Sequence, residues 1–188
     1  CDPPLRAQPN REQLWEHVRD GTIDFFASDH APFSIEQKEK GHTDMWQVPM
    51  GIPGLQTMLP LVLDEAFRGQ GLSLVEFARL SATAAARLFG LYPKKGAIRV
   101  GSDADLVLWD LNAPWTIDRN RMLTRHRWSP FEGRVCGVRA VMTLVRGRAV
   151  YADSRVIGQA GYGQFMSPLD RSASSQFQPS LPGRGNLR

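Results

Sequence analysis

Ser28-Asp29-His30-Ala31-Pro32 follows directly on the apolar run Ile23-Asp24-Phe25-Phe26-Ala27, and the reactive side chains of the sequence are concentrated there. A short β-type run ending in a carboxylate is how an α/β barrel offers a metal ligand or a base at its catalytic face, where strand C-termini open into loops. The same residues can also simply stop a strand, because Asp caps a turn and Pro breaks a ladder. Residue types alone leave both readings of Asp29 open. The sequence carries no Gly-rich phosphate-binding loop and no internal repeat.

The elements that must position Asp29 are legible on either side of it. Residues 1–9, CDPPLRAQP, are too Pro-rich for a helix and read as an extended segment leaving a strand, with Arg6 as a scaffold ion pair. Asn10 is the expected cap of a helix, with Gln13 three residues on, Leu14 and Val18 on one face and Gly21 closing it. The expected strand 23–27 then completes a β/α unit. Residues 33–53 are polar and irregular, and a loop of that length in a compact domain is more often a functional lid than filler. Trp46 within it could cover a substrate or merely anchor the loop. Leu55, Met58, Leu59, Val62, Leu63, Ala66 and Phe67 fall on a helical stripe, with Thr57 as cap and Pro60 in the first turn. Ser73 and Glu76 match a capping box, and residues 81–90 read as a second short helix ended by Gly90.

Past residues 92–96, Tyr-Pro-Lys-Lys-Gly, the helical period disappears. Residues 97–100, 104–109, 138–145 and 148–151 read as strands, with Arg146-Gly147 as a tight turn between the last two. The expected organisation is therefore β/α units over 1–92, a β-rich unit over 93–168 and a disordered tail over 169–188. With a start at Cys1 and no Met or leader-like segment, the 188 residues are expected to be a piece of a longer protein. No apolar run approaches the roughly 18 residues of a membrane span. Cys1 and Cys136 form no C-x-x-C spacing, which argues against a disulfide scaffold and fits a reducing cytoplasm. The net charge of +4 owes three charges to Arg171, Arg184 and Arg188, in a stretch with no acid after Asp170. The body is close to neutral, which speaks against a nucleic-acid surface.

Five segments together resemble the C-terminal portion of the cyclic amidohydrolases, that is, the dihydroorotases, allantoinases and hydantoinases (dihydropyrimidinases). They are CDPPLR, ASDHAPF, MGIPGLQTMLPL, GAIRVGSDADLVLWD and SPFEGRVCGVRAVMTLVRGRAVY, in the family's order. The resemblance implies an α/β fold: the C-terminal part of a (β/α)8 metal-dependent hydrolase barrel followed by a small β-sandwich domain. It implies one or two zinc ions held by an H-x-H pair, a carboxylated lysine, two further histidines and a final aspartate. Asp29 matches that aspartate, as metal ligand and as the catalytic proton carrier; the other ligands have no counterpart in this chain. His42 and His126 lack strand-end placement, and His30 would point to the opposite face if the strand continued.

The resemblance also assigns substrate contacts to Asp2, before the Pro pair, and to Met50 and Gly51. Asp2 stands where a dihydroorotase has Asn, and Phe33 where it has His. Those departures weaken a dihydroorotate reading, because that substrate is itself a carboxylate. The function implied is opening of a cyclic ureide or imide at a C–N bond, of the dihydroorotase type, with allantoinase or hydantoinase as the alternative. The partner implied is a small cyclic amide, with a homo-oligomer expected for the complete protein and no nucleic acid or membrane. A catalytically silent, dihydropyrimidinase-like scaffold is the rival of a different class, and a retained strand-end carboxylate argues against it. Alone, the fragment is expected to be inactive and to expose an apolar flank.

Overall fold

The computed structural model of the chain describes residues 4–168; the expected contact at Asp2 and the expected disordered tail lie outside them. Helix α1 (Gln8–Arg19) begins earlier than the Asn10 cap implies. Ala7 is its N-cap and offers no side-chain oxygen. Pro9 sits in the first turn instead, where a missing N–H is no loss. Gly21, at φ +81, ends the helix as expected. Val18 is buried and Trp15 packs on the core.

Residues 23–27 form no ladder, contrary to the expected strand. A parallel strand needs neighbours along its edges, and the described residues supply a single bridge, His30 with Ile52. The segment is held by side chains and isolated backbone bonds. The Phe26 ring meets Trp15 edge-on at 6.2 Å, Phe25 meets Phe89 at 6.2 Å, and the Phe26 N–H donates to the Leu80 carbonyl at 3.1 Å. Each such aromatic pair contributes about 0.5–1.5 kcal/mol beyond its burial.

The expected irregular loop contains helix α2 (Ile35–Glu39) and two 3-10 turns, Lys40–His42 and Met45–Gln47. Ser34 and Gln37 start α2 as a reciprocal cap: Gln37 N–H donates to Ser34 Oγ at 3.2 Å, and Ser34 N–H to Gln37 Oε1 at 2.9 Å. Helix α3 (Met58–Asp64) has Thr57 as N-cap and Pro60 in its first turn, as expected, and continues into a π-turn over Glu65–Gly69. Helix α4 (Leu74–Ala78) starts on the Ser73–Glu76 capping box and runs through a π-turn, Arg79–Thr83, into α5 (Ala84–Leu88). The two short helices expected there are thus one rod: Ser81 sits inside it, and no Gly or Pro interrupts 74–88. Gly90, at φ +69, ends it.

The second half is β-rich. Strands β1 (Leu106–Asp110), β4 (Arg139–Val145), β5 (Arg148–Ala152) and β6 (Arg155–Val156) form an antiparallel sheet in the order β1-β4-β5-β6. Strands β2 (Trp115–Thr116) and β3 (Val135–Cys136) pair separately. Arg146 and Gly147, at φ +47 and +78, make the expected tight turn. Asp153 and Ser154, at φ +49 and +61, make a second one between β5 and β6, and without a Gly it left no comparable signal.

Residues 97–100 are not a strand, and Ile98 and Val100 are 90% and 100% exposed. The backbone there turns, the Arg99 carbonyl accepting from Ser102 N–H at 3.1 Å, and its flanks are tied together. Asp103 N–H donates to the Lys94 carbonyl at 2.9 Å, Thr83 Oγ1 to the Gly96 carbonyl at 2.7 Å and Ser102 Oγ to the Pro93 carbonyl at 2.6 Å. Lys94 pairs with Asp103 at 2.6 Å, and Lys95 bridges Asp103 and Asp105.

One apolar cluster joins the halves: Leu61, Leu63, Ala66, Phe77 and Leu80 from the helices meet Ile117, Met122, Cys136 and Val138. Full burial of a leucine such as Leu63 or Leu80 contributes about 1.5–3 kcal/mol. Asp64 ties α3 to β3, accepting from the Gly137 N–H at 3.0 Å while pairing with Arg68 at 3.0 Å. Cys136 is a buried, free thiol whose ionisation burial pushes up, so it behaves as a core residue. No described helix is long and apolar enough to cross a membrane.

Candidate active site

Asp29 lies where the chain turns out of the Phe25–Phe26 segment, at φ +43. A left-handed conformation costs an ordinary L-residue about 1–2 kcal/mol, and Asp is among the few side chains that adopt it routinely as single residues. The carboxylate is exposed, and among the described residues it makes no hydrogen bond or ion pair. A backbone outlier under an uncommitted carboxylate is a pattern that functional sites share.

The turn is held by residues 51–55. Ala31 N–H donates to the Ile52 carbonyl at 3.1 Å. The His30 Nδ1 accepts from two amides, Gly54 N–H and Leu55 N–H, each at 3.0 Å. A ring nitrogen that accepts carries no proton of its own, so this geometry assigns His30 as the Nε2–H tautomer. His30 therefore neither continues a strand to the opposite face nor ligates a metal through Nδ1. Its role is to clamp the Gly54–Leu55 backbone beside Asp29. Sequence reasoning set it aside, and the signal it carried was its place between a strand-end acid and a Gly-Ile-Pro-Gly segment that supplies amides.

Gly51 is buried at φ +127 against Ala31; a Cβ there would lie 2.4 Å from the Ala31 Cβ and 2.7 Å from its carbonyl oxygen. Gly51 thus packs against the residue two positions beyond Asp29, and its neighbour Met50 is 48% exposed. Other expectations fare differently. Trp46 is 85% exposed and anchors nothing among the described residues. Arg6 is exposed and makes no ion pair among them. His42 is exposed on a 3-10 turn, and the half-buried His126 interacts electrostatically with Glu36.

Among the described residues no three His, Cys, Asp or Glu side chains come together as metal ligands. A zinc site takes about three protein ligands, so these residues do not form one, and Asp29 offers a single donor. A groove of about 1260 Å³ is lined by His30, Leu55, Gln56 and Pro60 together with residues 120–124, Arg127 and strands β4–β6, and neither Asp29 nor Met50 lines it. Gln56 stitches the groove floor across the halves, donating from Nε2 to the Arg121 carbonyl at 3.0 Å and accepting from Leu123 N–H at 2.8 Å.

Residues 1–150 match the Amidohydrolase family. The chain is 37% identical over 172 residues to an L-hydantoinase of Paenarthrobacter aurescens, covering 92% of this chain and 38% of that one. It is 45% identical over 150 residues to a dihydroorotase of Halobacterium salinarum, covering 80% and 34%. An Escherichia coli allantoinase is 37% identical over 166 residues, covering 88% and 36%. The solved L-hydantoinase (dihydropyrimidinase) of Arthrobacter aurescens superposes with a TM-score of 0.83 at 38% identity, covering 88% of this chain and 37% of that one. The chain belongs to the amidohydrolase family, among the cyclic amidohydrolases. It spans little more than a third of the length of these relatives.

Proposed function

We propose that this chain is the Asp29-bearing part of a zinc-dependent hydrolase that opens a cyclic amide. The observation that carries the proposal is Asp29 itself: an exposed carboxylate, unpaired among the described residues, in a left-handed turn fixed by the segment that holds Met50 and Gly51. Residues 4–92 fit the last units of a (β/α)8 barrel, and residues 93–168 fit a β-sandwich part, with the remaining barrel supplied by polypeptide outside this chain. Zinc, one ion or two, would supply there an activated water, with pKa lowered to about 7, and a polarised carbonyl. Asp29 is one ligand in this reading, and the others come from elsewhere in the protein.

Asp29 has the chemistry for both proton transfers. Its carboxylate takes a proton from the attacking water and returns it to the ring nitrogen as the C–N bond breaks, so the carboxylate is regenerated in each turnover. The backbone of Met50 and Gly51 contacts the ring amide, and Asp2 is a further substrate contact in this reading. Among cyclic ureides and imides, hydantoin-like or allantoin-like rings suit this site better than dihydroorotate, because Asp2 repels a substrate carboxylate. The protein is expected to work as a homo-oligomer in the cytoplasm.

The test is Asp29→Asn in the whole protein, with metal content and turnover measured together on hydantoin, allantoin and dihydroorotate. Turnover falls about 10²–10⁴-fold, out of proportion to any loss of metal. Near-normal turnover in the variant overturns the assignment. Turnover of none of the three rings by the unaltered protein favours the silent scaffold.

A further inference from the structure

We infer that Trp128, from the β-rich half, is a positioning residue for the Asp29 turn; the inference rests on the function proposed for Asp29. One flank of that turn is held by residues 51–55, as described. The other flank, where the chain leaves through Pro32 and Phe33, is held from 95 positions away: the Trp128 indole N–H donates to the Phe33 carbonyl at 2.6 Å, with both residues half-buried. A short bond between groups partly withdrawn from water is worth more than an exposed one, and leaving the carbonyl unpaired costs its desolvation. Trp128 can hold this position because its own segment is fixed: Ser129 is buried, and its Oγ accepts from Phe131 N–H at 3.2 Å.

From Phe33 the brace continues to the other half of the site. The Lys38 ammonium stands 5.6 Å from the centre of the Phe33 ring and donates to the Pro49 carbonyl at 2.6 Å. Pro49 precedes Met50. Trp128, Phe33, Lys38 and Pro49 thus form a continuous path that closes the loop between Asp29 and Met50–Gly51. Asp29 stands exposed between the two flanks, and a displacement of about 1 Å at a reacting group can cost about 10²-fold in rate. Phe33 also occupies the position at which the dihydroorotase pattern has His, so Trp128 fixes a residue by which this chain departs from that pattern.

The experiment compares Trp128→Phe, which keeps the ring and removes the donor, with Trp128→His, which restores a ring N–H. Both are made in the whole protein and read by kcat and KM, metal content, melting temperature and amide hydrogen exchange. The expected result for Trp128→Phe is a roughly tenfold fall in kcat/KM carried mainly by kcat, with melting temperature and metal content unchanged. Exchange should quicken over residues 29–38 and stay unchanged over α1, and Trp128→His should recover part of both effects. Unchanged exchange and kinetics in Trp128→Phe overturn the inference, and so does a parallel fall of melting temperature and activity that Trp128→His does not relieve. Exchange reports the brace independently of turnover, so loss of the Asp29 assignment through an active Asp29→Asn variant is distinguishable from loss of the brace.

Discussion

The turns at Asp29 and at Arg146 both hold a non-glycine residue in the left-handed region, and they do so by different means. At the β4–β5 hairpin, Arg146 and Gly147 lie at φ +47 and +78, flanked by the ladder pair Val145–Arg148. Two left-handed residues give the turn a twist that matches its strands, so the conformation is favoured by its immediate neighbours. At Asp29, φ is +43 and no ladder flanks the turn. Its partners come from afar: Gly54 and Leu55, 24 and 25 positions beyond His30, and Trp128, 95 positions beyond Phe33. A hairpin turn serves the sheet that contains it. A turn held by distant segments instead ties the carboxylate to whatever else those segments carry, and here one of them carries Met50 and Gly51.

The comparison breaks most readily at Gly51. Gly51→Ala places a methyl 2.4 Å from the Ala31 Cβ at φ +127. Overpacking costs about 1–3 kcal/mol, and the conformation adds about 1–2 kcal/mol. Denaturant unfolding of the whole protein should therefore show a loss of about 3 kcal/mol; a loss below about 1 kcal/mol would mean that the 51–55 segment is free to shift. His30→Ala should come next, at about 1–2 kcal/mol, because it strands two amide donors. His30→Asn should recover part of that by offering an oxygen, and equal losses in the two variants would show that the ring's packing, not its acceptor, matters. Gly147→Ala should cost about 1 kcal/mol, from conformation alone: its Cβ would meet only the Ala104 Cβ, at 3.9 Å. If Gly147→Ala and Gly51→Ala prove equal, the two turns do not differ in the way described.

The smallest effect concerns pH and should spare the Asp29 turn. Hydrogen bonds from Lys94 and Lys95 lower the Asp103 carboxyl below its ordinary 3.8. With the folded value below the unfolded one, Asp103 stabilises the protein above about pH 3.8, and the contribution is lost as pH falls through the lower folded value. Burial lowers Lys95, but its bonds to Asp105 and Asp103 outweigh that and leave it raised above 10.5. Its contribution is present below that value and is lost at still higher pH. Amide protection relative to the intrinsic exchange rate should fall in acid over residues 94–105 before it falls over residues 51–55, and the reverse order would contradict the assignment of the Lys94–Asp105 cluster as a local clasp.

Where a local rule was sufficient, the sequence was legible. The Ser73–Glu76 capping box, Pro60 in the first turn of α3, the glycines ending α1 and α5, and the Arg146-Gly147 turn all stand where their residue types require. Some local signals were present and went unread, above all Ser34 and Gln37, whose spacing starts α2 inside the expected loop. The errors lie where partners decide. Residues 23–27 and 97–100 have β-type composition, yet the first finds no neighbouring strand and the second spends its backbone bonds on a turn. Ser81 looks like a cap but lies within a continuous rod. At the site, residue types pointed to Asp29 and the family resemblance to Met50 and Gly51, and neither gave a hint of Trp128, whose contact spans 95 positions.

By itself the sequence determined which residue types could carry chemistry, the family to which they belong and several helix ends, because caps, turns and motifs act over three or four residues and need no distant partner. Only the tertiary structure decided that His30 clamps two amides, that Gly51 packs on Ala31 and that the β-rich half reaches the Asp29 turn through Trp128. Those facts depend on which donors and acceptors meet once the core has closed around Leu63, Leu80, Ile117 and Val138, and nothing in the order of residues records that meeting.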